Sequence, residues 1–434
     1  MIRTLGIGPR RAALSILEQV RSGKTFEVAL HRSLGDLAEP DRRLAHELAA
    51  GVLRHRSALD SQLAPLIPRG WASVTLDLQD ILRLGAYQLT GLDRVPDHAA
   101  VDTSVTLARE TGGSPAAAFV NAVLRRLSRT EPTTALGAAD KIERLAVEHS
   151  HPVWLVRRWV DSFGPESAER LLRWNNTRPR LVLQPARLDL ETLASRWRAA
   201  GIAVEPAPHG AGLMTSLTRP AELPGFREGD FVVQDPAQAL LSRFADLPAR
   251  TVVYDACAAP GGKTIALGRQ ARVVVAGEVS PARARRLAEN VTRAGSGREH
   301  IVVADGRHPP VRRADVVLID APCLGTGTFA RHPDARWRVT AEMLSSLEVL
   351  QTELLAQAAR VVAAGGLLVY STCSLEPEEN REQVDRFLAG NPDFRREPSH
   401  TVAADLLSPE GDLTILPQQH GIDGVFGARL RRSQ

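Results

Sequence analysis

The sequence has few aromatic residues, few cysteines and no long apolar run. Aromatic residues make up 4% of the 434 positions, so we expect cores built mainly from Ala, Leu and Val. Three cysteines are too few for a disulfide framework and are typical of a reducing compartment. Nowhere do about 18 apolar residues run together, and arginines interrupt the N-terminal segment, so we expect neither a transmembrane helix nor a signal peptide. These absences predict a cytoplasmic protein that makes no use of a membrane.

Lysine is also scarce, although cationic residues as a group are not. Only Lys24, Lys141 and Lys263 occur among the 54 lysines and arginines, and the formal net charge is +4. This mild excess does not by itself indicate nucleic-acid binding. Four arginine pairs are candidate phosphate contacts, although a solvated helix face is the simpler interpretation of any one pair. The pairs are Arg125 and Arg126, Arg157 and Arg158, Arg285 and Arg286, and Arg312 and Arg313.

Length and hydrophobic periodicity predict about three domains. Apolar residues recur at helical spacing from residue 10 to about 130, interrupted by turn signals such as Gly-Gly-Ser-Pro at 112–115. The segment EPTTALGAAD, at 131–140, is typical of a linker. From about residue 180, β-branched runs alternate with helical segments, which predicts a largely parallel, doubly wound sheet. We therefore expect an all-α bundle at 1–140, a small α+β connector at 141–235 and an α/β domain at 236–434.

The segment TVVYDACAAPGGKT predicts a ligand-binding loop between a strand and a helix. The strand ends at Asp255, a loop of small residues follows, and a helix starts near Lys263. In open α/β sheets ligands bind at the carboxyl ends of strands, where glycines let backbone amides approach them. A P-loop would need glycine at position 257, which is Cys257, so a nucleotide triphosphatase is not favoured.

Acidic residues follow four successive predicted strands. They are Asp255, Glu278, Asp305 and Asp320. An acidic residue about 20 positions beyond a glycine-rich turn can bind the hydroxyls of a ribose, although a single strand-end carboxylate is more often a cap or a solvated charge. The G-x-G-x-x-G motif expected for NAD is missing. Four carboxylates at one sheet edge suit a cofactor with a sulfonium, an amino group, a ribose and an adenine, as in S-adenosylmethionine.

Two of the three cysteines also follow predicted strands, in APCLGTG and STCS. These are Cys323 and Cys373. A buried free cysteine is usually a small hydrophobic residue, but a thiolate is a strong nucleophile once its pKa is lowered. Two thiols beside a methyl donor indicate covalent activation of a poor carbon nucleophile. No motif predicts a metal site.

Together these segments resemble the RNA cytosine-5 methyltransferases, specifically the RsmB family that modifies 16S rRNA. The N-terminal part resembles the NusB-like RNA-binding domain of that family, notably in ILRLGAYQLTGLDRVPDHAAVDTSVTLAR and FVNAVLRRL. The resemblance implies an all-α NusB-like bundle followed by a Rossmann-like α/β methyltransferase domain. The matching C-terminal segments are DACAAPGGKT, the stretch from Glu278 to Asn290, VVADGRHPP, DAPCLGTGTFARHPDARW, GGLLVYSTCSLEPEEN and ILPQQHGIDGVFGARLRR.

The resemblance also implies a role for each motif residue. Cys373 would attack C6 of cytosine, Cys323 would assist release of the product, and Asp320 would contact the base near N3. The S-adenosylmethionine site would hold the methionine part on the loop, the ribose on Glu278 supported by Arg283, and the adenine on Asp305. The implied cofactor residues are Cys257, Ala258, Ala259, Pro260, Gly261, Gly262, Lys263, Glu278, Arg283, Asp305 and Asp320.

Three features depart from the family pattern: a run of four residues and two single positions. The run Gln184, Pro185, Ala186 and Arg187 stands where an Arg-Val-Asn-type signature is expected, which puts its RNA contacts in doubt. Glu278 replaces the commoner aspartate and lengthens the reach of the carboxylate. Val425 replaces an aromatic residue, which we interpret as a packing change.

The implied partner is 16S rRNA that presents a single-stranded or flipped cytosine, because a stacked base is out of reach. We expect no DNA, no membrane and a monomeric protein. Two alternatives stay open. One keeps the chemistry but acts on tRNA or another rRNA site. The other is a non-catalytic, NusB-like RNA-binding assembly factor, which the presence of both Cys323 and Cys373 argues against.

Overall fold

The computed structural model describes residues 6–35, 37–130, 140–216 and 219–434. The chain divides into two units. The first comprises Met1–Thr177 and Phe329–Arg338, and the second comprises Arg178–Thr328 and Val339–Gln434. Within the described residues no helix is long and apolar enough to cross a membrane. The linker expected at 131–140 lies outside the described residues except for its last position, and our three-domain division stays a prediction.

The first unit is helical, as its periodicity predicts. Its core is made largely of Leu, Ala and Val. The break expected at 112–115 is confirmed, because Gly112 and Gly113 have non-helical backbone angles inside α6. The helices are α1 (Ile7–Arg21), α2 (Phe26–Ser33), α3 (Glu39–Arg54), α4 (Arg56–Leu63), α5 (Leu76–Gly91), α6 (Asp97–Leu127), α7 (Lys141–Glu148), α8 (Val153–Phe163) and α9 (Pro165–Asn175).

Ten residues from far along the chain complete this helical unit. We call Phe329–Arg338 the inserted segment. The Trp337 indole donates to the carbonyl of Leu53 (2.7 Å), and the amide of Phe26 donates to Asp334 (3.1 Å). Arg336 is fully buried. Its guanidinium donates to Asn176 Oδ1 (2.6 Å) and to backbone carbonyls, among them that of Asn175 (2.7 Å).

The second unit begins with a small antiparallel sheet of strand order β2-β3-β1-β4. Helix α10 (Leu190–Ala199) packs against it through Leu193 and Trp197. Gln184 is buried, and its side-chain amide donates to the carbonyl of Ala211 (2.8 Å). The strands are β1 (Leu181–Pro185), β2 (Val204–Pro206), β3 (Leu213–Thr215) and β4 (Phe231–Val233).

The large sheet has the order β10-β12-β9-β8-β5-β6-β7, with β11 paired to β12. The β-branched runs at 251–255, 271–279, 300–305, 314–322 and 365–374 predict five parallel strands, and these are confirmed. Three antiparallel strands extend the sheet. The strands are β5 (Val252–Asp255), β6 (Val273–Glu278), β7 (Glu299–Val303), β8 (Ala314–Asp320), β9 (Val362–Thr372), β10 (Phe394–Arg396), β11 (Leu413–Ile415) and β12 (Val425–Arg432).

Both faces of the large sheet are covered, as expected for a doubly wound fold. Along β8, Val317 and Ile319 pack on one side with helix α14, whereas Val316 and Leu318 belong to a separate core on the other. This alternation explains why the strands consist almost entirely of apolar residues. The helices are α11 (Pro236–Phe244), α12 (Gly262–Gly268), α13 (Pro281–Ala294), α14 (Ala341–Val361), α15 (Arg381–Gly390) and α16 (Pro417–His420).

Candidate active site at the carboxyl edge of the large sheet

Carboxylates lie at one edge of the large sheet, where its parallel strands end. Asp320, Asp255 and Glu278 are the last residues of the neighbouring strands β8, β5 and β6. Asp305 lies two positions beyond β7, the next strand. Consecutive strands in the sheet therefore bring all four sequence-predicted carboxylates to the same edge.

Asp255 is buried with one oxygen unsatisfied. Thr264 Oγ1 donates to Asp255 Oδ2 (2.7 Å), but Oδ1 has no hydrogen-bond partner among the described residues. Burial raises the pKa of Asp255 to about 6. The neighbouring Tyr254 hydroxyl is also buried without a partner. A ligand that brings a positive charge or hydrogen-bond donors fits this position, and the ammonium group of S-adenosylmethionine has both properties.

The loop between β5 and α12 is held against α13. The Asn290 amide donates to the carbonyl of Pro260 (2.9 Å), which follows a cis Ala259–Pro260 bond. Gly261 has φ +109°, and a Cβ there would lie 2.7 Å from a methyl carbon of Leu287. Glycine is therefore required at this position. Burial raises the pKa of Cys257 in the same loop, so its thiol stays protonated.

Glu278 and Asp305 already have partners on the protein. The amide of Ser280 donates to Glu278 Oε1 (3.0 Å), and Arg283 Nη2 lies 3.4 Å from Oε2. Arg283 also donates to the carbonyl of Ala259 (3.1 Å) and so joins the Glu278 carboxylate to the loop. Arg307 donates to both oxygens of Asp305, which lowers the pKa of that carboxyl. If Asp305 contacts the adenine as predicted, it must do so while it is paired with Arg307.

Lys263 lies against Asp320. Its Nζ is 2.6 Å from Asp320 Oδ2, and the Lys263 side chain is only 11% exposed. Ser371 Oγ donates to the other oxygen, Oδ1 (3.1 Å). The structure thus joins two residues that the sequence placed in different motifs. A compact ammonium suits this position better than the broad guanidinium that the chain uses almost everywhere else.

The two cysteine loops meet beside this pair. Cys323 follows β8, Cys373 follows β9, and their sulfur atoms are 3.4 Å apart. The hydrogen bond to Cys373 and burial raise the pKa of Cys323 well above its ordinary value. Gly327 donates its amide to the carbonyl of Cys373 (2.9 Å), and a Cβ at Gly327 would lie 2.8 Å from that oxygen. Backbone contact therefore fixes the distance between the loops.

Sequence reasoning missed two buried polar residues behind the Cys323 loop. Glu379, in the 3-10 turn Pro377–Glu379, accepts a hydrogen bond from the amide of Leu324 (3.1 Å) and one from Gln351 Nε2 (2.9 Å). Burial raises the pKa of Glu379 to about 7. The run of three acidic residues in LEPEEN suggests a solvated turn, and nothing in the sequence of α14 marks Gln351.

An arginine-rich open groove of about 660 Å³ lies on the second unit. Arg187, from the departing run at 184–187, faces it, whereas Gln184 points into the small sheet. Residues at helical spacing on α13 form one wall. The groove is lined by Arg187, Arg227, Glu228, Arg285, Ala288, Glu289, Thr292 and Arg293.

Comparison with known proteins matches three family models. Residues 246–431 match the model of the 16S rRNA methyltransferase RsmB/F, and residues 8–129 match the NusB family. Residues 151–217 match the ferredoxin-like domain of RsmF/B-like methyltransferases.

Full-length relatives are similar to the chain from end to end. The probable ribosomal RNA small subunit methyltransferase B of Synechocystis is 35% identical and aligns over 98% of this chain and 100% of its own. A protein with the same description from Bacillus subtilis is 31% identical, with 98% of each chain covered. The crystal structure of PH0851 matches the fold with a TM-score of 0.83 at 24% identity, covering 100% of this chain and 99% of that one.

Proposed function

Because the chain belongs to the RsmB/F family of 16S rRNA methyltransferases, we propose that it methylates C5 of a cytosine in small-subunit rRNA through a covalent Cys373–C6 adduct. S-adenosylmethionine is the methyl donor of this family. When bound, it supplies an electrophilic sulfonium methyl group, which the activated C5 takes up. The residues of this chain bind it, activate the base and release the product.

The pair of thiols is the observation that carries the proposal. C5 of cytosine is a poor nucleophile until a thiolate adds to C6. The resemblance to the family assigns the nucleophile to Cys373, and the sulfur of Cys323 lies 3.4 Å from that of Cys373, within reach of a thiol that assists release. After methylation, a water molecule takes the C5 proton, the electron pair of the C5–H bond forms the C5–C6 double bond, and the C6–S bond breaks. The departing Cys373 thiolate accepts a hydrogen bond from the Cys323 thiol.

Asp320 and Lys263 serve the addition step. Negative charge moves toward N3 of the base as Cys373 adds to C6, and a proton held at that position lowers the barrier. Asp320 contacts the base near N3, and the ammonium of Lys263, 2.6 Å from Asp320 Oδ2, orients this carboxyl and supplies it with a hydrogen bond. Ser371 fixes the other oxygen.

The cofactor residues divide between backbone and side chains. Asp255, with its unsatisfied Oδ1, supports placement of the cationic methionine part beside the loop at 257–263. Glu278 and Arg283 hold the ribose side, and Asp305 remains our candidate for the adenine.

RNA reaches this site as a single strand or with the cytosine flipped out. The helical unit matches the NusB family, which supports a role in holding the RNA. On the second unit, the open groove with Arg187, Arg227 and Arg285 is our candidate contact for the RNA backbone. Such contacts position an RNA without specifying its sequence.

The direct test is Cys373→Ala. We expect methylation of small-subunit rRNA to fall below detection while S-adenosylmethionine still binds in a calorimetric titration. Full activity of this variant would overturn the assignment of the nucleophile.

Cys323→Ala should block a later step of the reaction than Cys373→Ala does. Adduct formation continues but release slows, so a protein–RNA band should accumulate on a denaturing gel. The double variant Cys323→Ala/Cys373→Ala is the control and should show no band. Rapid turnover by Cys323→Ala would contradict the release role.

Bisulfite sequencing of total RNA from cells that lack the protein identifies the target. We expect one cytosine of small-subunit rRNA to lose its methyl group. Loss from tRNA or from another rRNA would favour the alternative substrate.

A further inference from the structure

Cys323 is held by hydrogen bonds to the peptide groups on both sides of it. On one side, Gln351 Nε2 donates to the carbonyl of Pro322 (2.8 Å). On the other side, the amide of Leu324 donates to Glu379 Oε1 (3.1 Å) and lies 3.3 Å from Oε2. The two side chains are bonded to each other, because Gln351 Nε2 also donates to Glu379 Oε1 (2.9 Å).

The supports of this pair come from rigid parts of the second unit. Gln351 lies in the middle of the 21-residue helix α14, and Glu379 ends a 3-10 turn. The Tyr370 hydroxyl, from β9, donates to the carbonyl of Glu379 (2.7 Å) and so holds that turn. Helix, strand and turn therefore converge on a single loop residue.

Neither side chain can touch a substrate. Gln351 and Glu379 are both 0% exposed, and they lie behind the loop whose cysteine faces Cys373. Any effect on the reaction must therefore pass through the loops that they contact. Gln351 and Glu379 both bond the Cys323 loop, and Glu379 also bonds Ser374, beside Cys373. A displacement of about 1 Å at a reacting group can cost a factor of about 100 in rate.

We propose that Gln351 and Glu379 are positioning residues that hold Cys323 at release distance from Cys373 and thereby set the rate at which the covalent intermediate is resolved. This inference rests on the proposed function. It concerns the second half of the reaction, since the addition step uses Cys373, Asp320 and Lys263.

The test uses the full-length protein with Gln351→Met and, separately, Glu379→Leu. Each variant should form the covalent adduct at close to the normal rate in a single-turnover experiment but resolve it about 10- to 100-fold more slowly. The adduct should therefore accumulate on a denaturing gel. Glu379→Gln keeps an oxygen that can accept from Leu324 and should restore a large part of the release rate.

Gln383→Met is the matched control. Gln383 is 1% exposed and donates to Thr352 on the same helix α14 (2.8 Å), and among the described residues it has no hydrogen bond to the Cys323 loop. It should lower the melting temperature as Gln351→Met does, without adduct accumulation. Equal accumulation in both variants would mean general loosening of the helix and would overturn the proposal.

A combined variant separates this proposal from the one it rests on. In a Cys323→Ala background, Glu379→Leu should slow release no further, because the residue it positions is gone. A further loss would show that Glu379 acts otherwise than through Cys323. If Cys323→Ala alone accumulated no adduct, Cys323 would have no role in release. If Cys323→Ala accumulated adduct but Glu379→Leu and Gln351→Met did not, only the positioning role of Gln351 and Glu379 would be refuted.

Discussion

Two buried cations, Arg336 of the helical unit and Lys263 of the second unit, are held in contrasting ways. Among the described residues, Arg336 is fully buried and donates to neutral oxygens, from Asn176 and from backbone carbonyls. In the second unit, Lys263 is also largely buried, but its partner is the carboxylate of Asp320. Burial among neutral partners lowers the pKa of Arg336 to about 9.

The difference separates a buried cation that joins two segments of the fold from a buried cation that lies in the candidate active site. The hydrogen bonds of Arg336 join the inserted segment to the helix ends at Asn175 and Asn176, which is a structural use. At the sheet edge, Asp320 is 28% exposed and Asp255 Oδ1 is unsatisfied, so both can still bind a ligand. We expect substitutions in the first unit to change stability and those in the second to change catalysis.

The largest effect should come from Asp320→Asn. The amide cannot transfer a proton to N3 of the base, so kcat should fall about 10³-fold, within the usual range for loss of a general acid or base. The amide oxygen can still accept from Lys263, but this largely buried ammonium loses its counter-ion, so the free energy of unfolding should fall by about 1–3 kcal/mol. Single-turnover methylation and urea unfolding measure the two quantities. A large loss of stability with little loss of kcat would erase the contrast between the units.

Arg336→Met should have the next largest effect, on stability. Several carbonyls and the Asn176 amide oxygen lose their donor in a buried place, so we expect the first unit to lose about 3–4 kcal/mol. Hydrogen exchange of peptides from each unit measures the stability of that unit, and a cofactor titration measures binding by the second unit. S-adenosylmethionine binding by the second unit should be retained.

Arg338→Met is the control within the inserted segment. Its side chain is 39% exposed and pairs with the buried Asp334 (2.9 Å), which keeps the hydrogen bond from the amide of Phe26, so removal should cost about 1–2 kcal/mol. Equal costs for the two arginines would show that burial of Arg336 is not what matters.

The units should also respond oppositely to pH. In the first unit, burial lowers the pKa of His149 and of His151, so the native state binds fewer protons than the unfolded chain below about pH 6.5. Stability there should fall as pH falls. In the second unit, the pKa is raised to about 6 for Asp255 and to about 7 for Glu379. The native state then holds protons that the unfolded chain has released, so stability falls as pH rises through this range.

Lowering the pH from 7.5 to 5.5 should therefore weaken the first unit and strengthen the second by about 1–2 kcal/mol each. Glu18 and Asp80 of the first unit have raised pKa values and reduce its change. Urea unfolding at the two pH values, followed by hydrogen exchange, reports each unit. If the free energy of unfolding changed in the same direction in both units, the assignment of the pH response to these groups would be wrong. His151→Gln should abolish part of the effect in the first unit only.

The smallest effect should come from the groove. Replacing Arg187, Arg227 and Arg285 together by Ala should raise KM for RNA about 3- to 10-fold with kcat unchanged, and should reduce the salt dependence of binding by about 0.7–0.9 per lost phosphate contact. Replacing Arg272, Arg381 and Arg395 together by Ala, which removes three exposed arginines of the second unit that lie outside the groove, is the control. If the two sets of substitutions changed KM and the salt dependence equally, the groove would not be a specific RNA contact.

Sequence reasoning reached the parts of the fold that depend on local pattern. The β-branched runs locate β5 to β9, and because parallel strands share an edge, the residues that end them predict the row of carboxylates. The break at Gly112 and Gly113 follows from glycine's conformational freedom. The roles of the site residues stay predictions until the variants above are measured.

Contacts between residues far apart in the sequence could not be predicted from local pattern. Trp337 bonds a residue 284 positions away, and no local pattern shows that Phe329–Arg338 completes a helical unit. Lys263 and Asp320 are 57 positions apart, so their ion pair follows from the strand order and not from either motif. Glu379 looks solvated in sequence because burial of a carboxyl depends on donors such as Leu324 and Gln351.

The inserted segment has a consequence for synthesis of the protein on the ribosome. The described helices α1 to α9 are all translated by Thr177, but the inserted segment that bonds to them ends at Arg338. At 5–20 residues per second, the intervening stretch of about 160 residues takes about 10–30 s to translate. During this interval the sites for Trp337 and Arg336 are empty on the nascent helical unit. We expect a chain that terminates before Arg336 to lack the hydrogen bonds that Arg336 and Trp337 make to the helical unit, and its helical unit to be less stable than that of the complete chain.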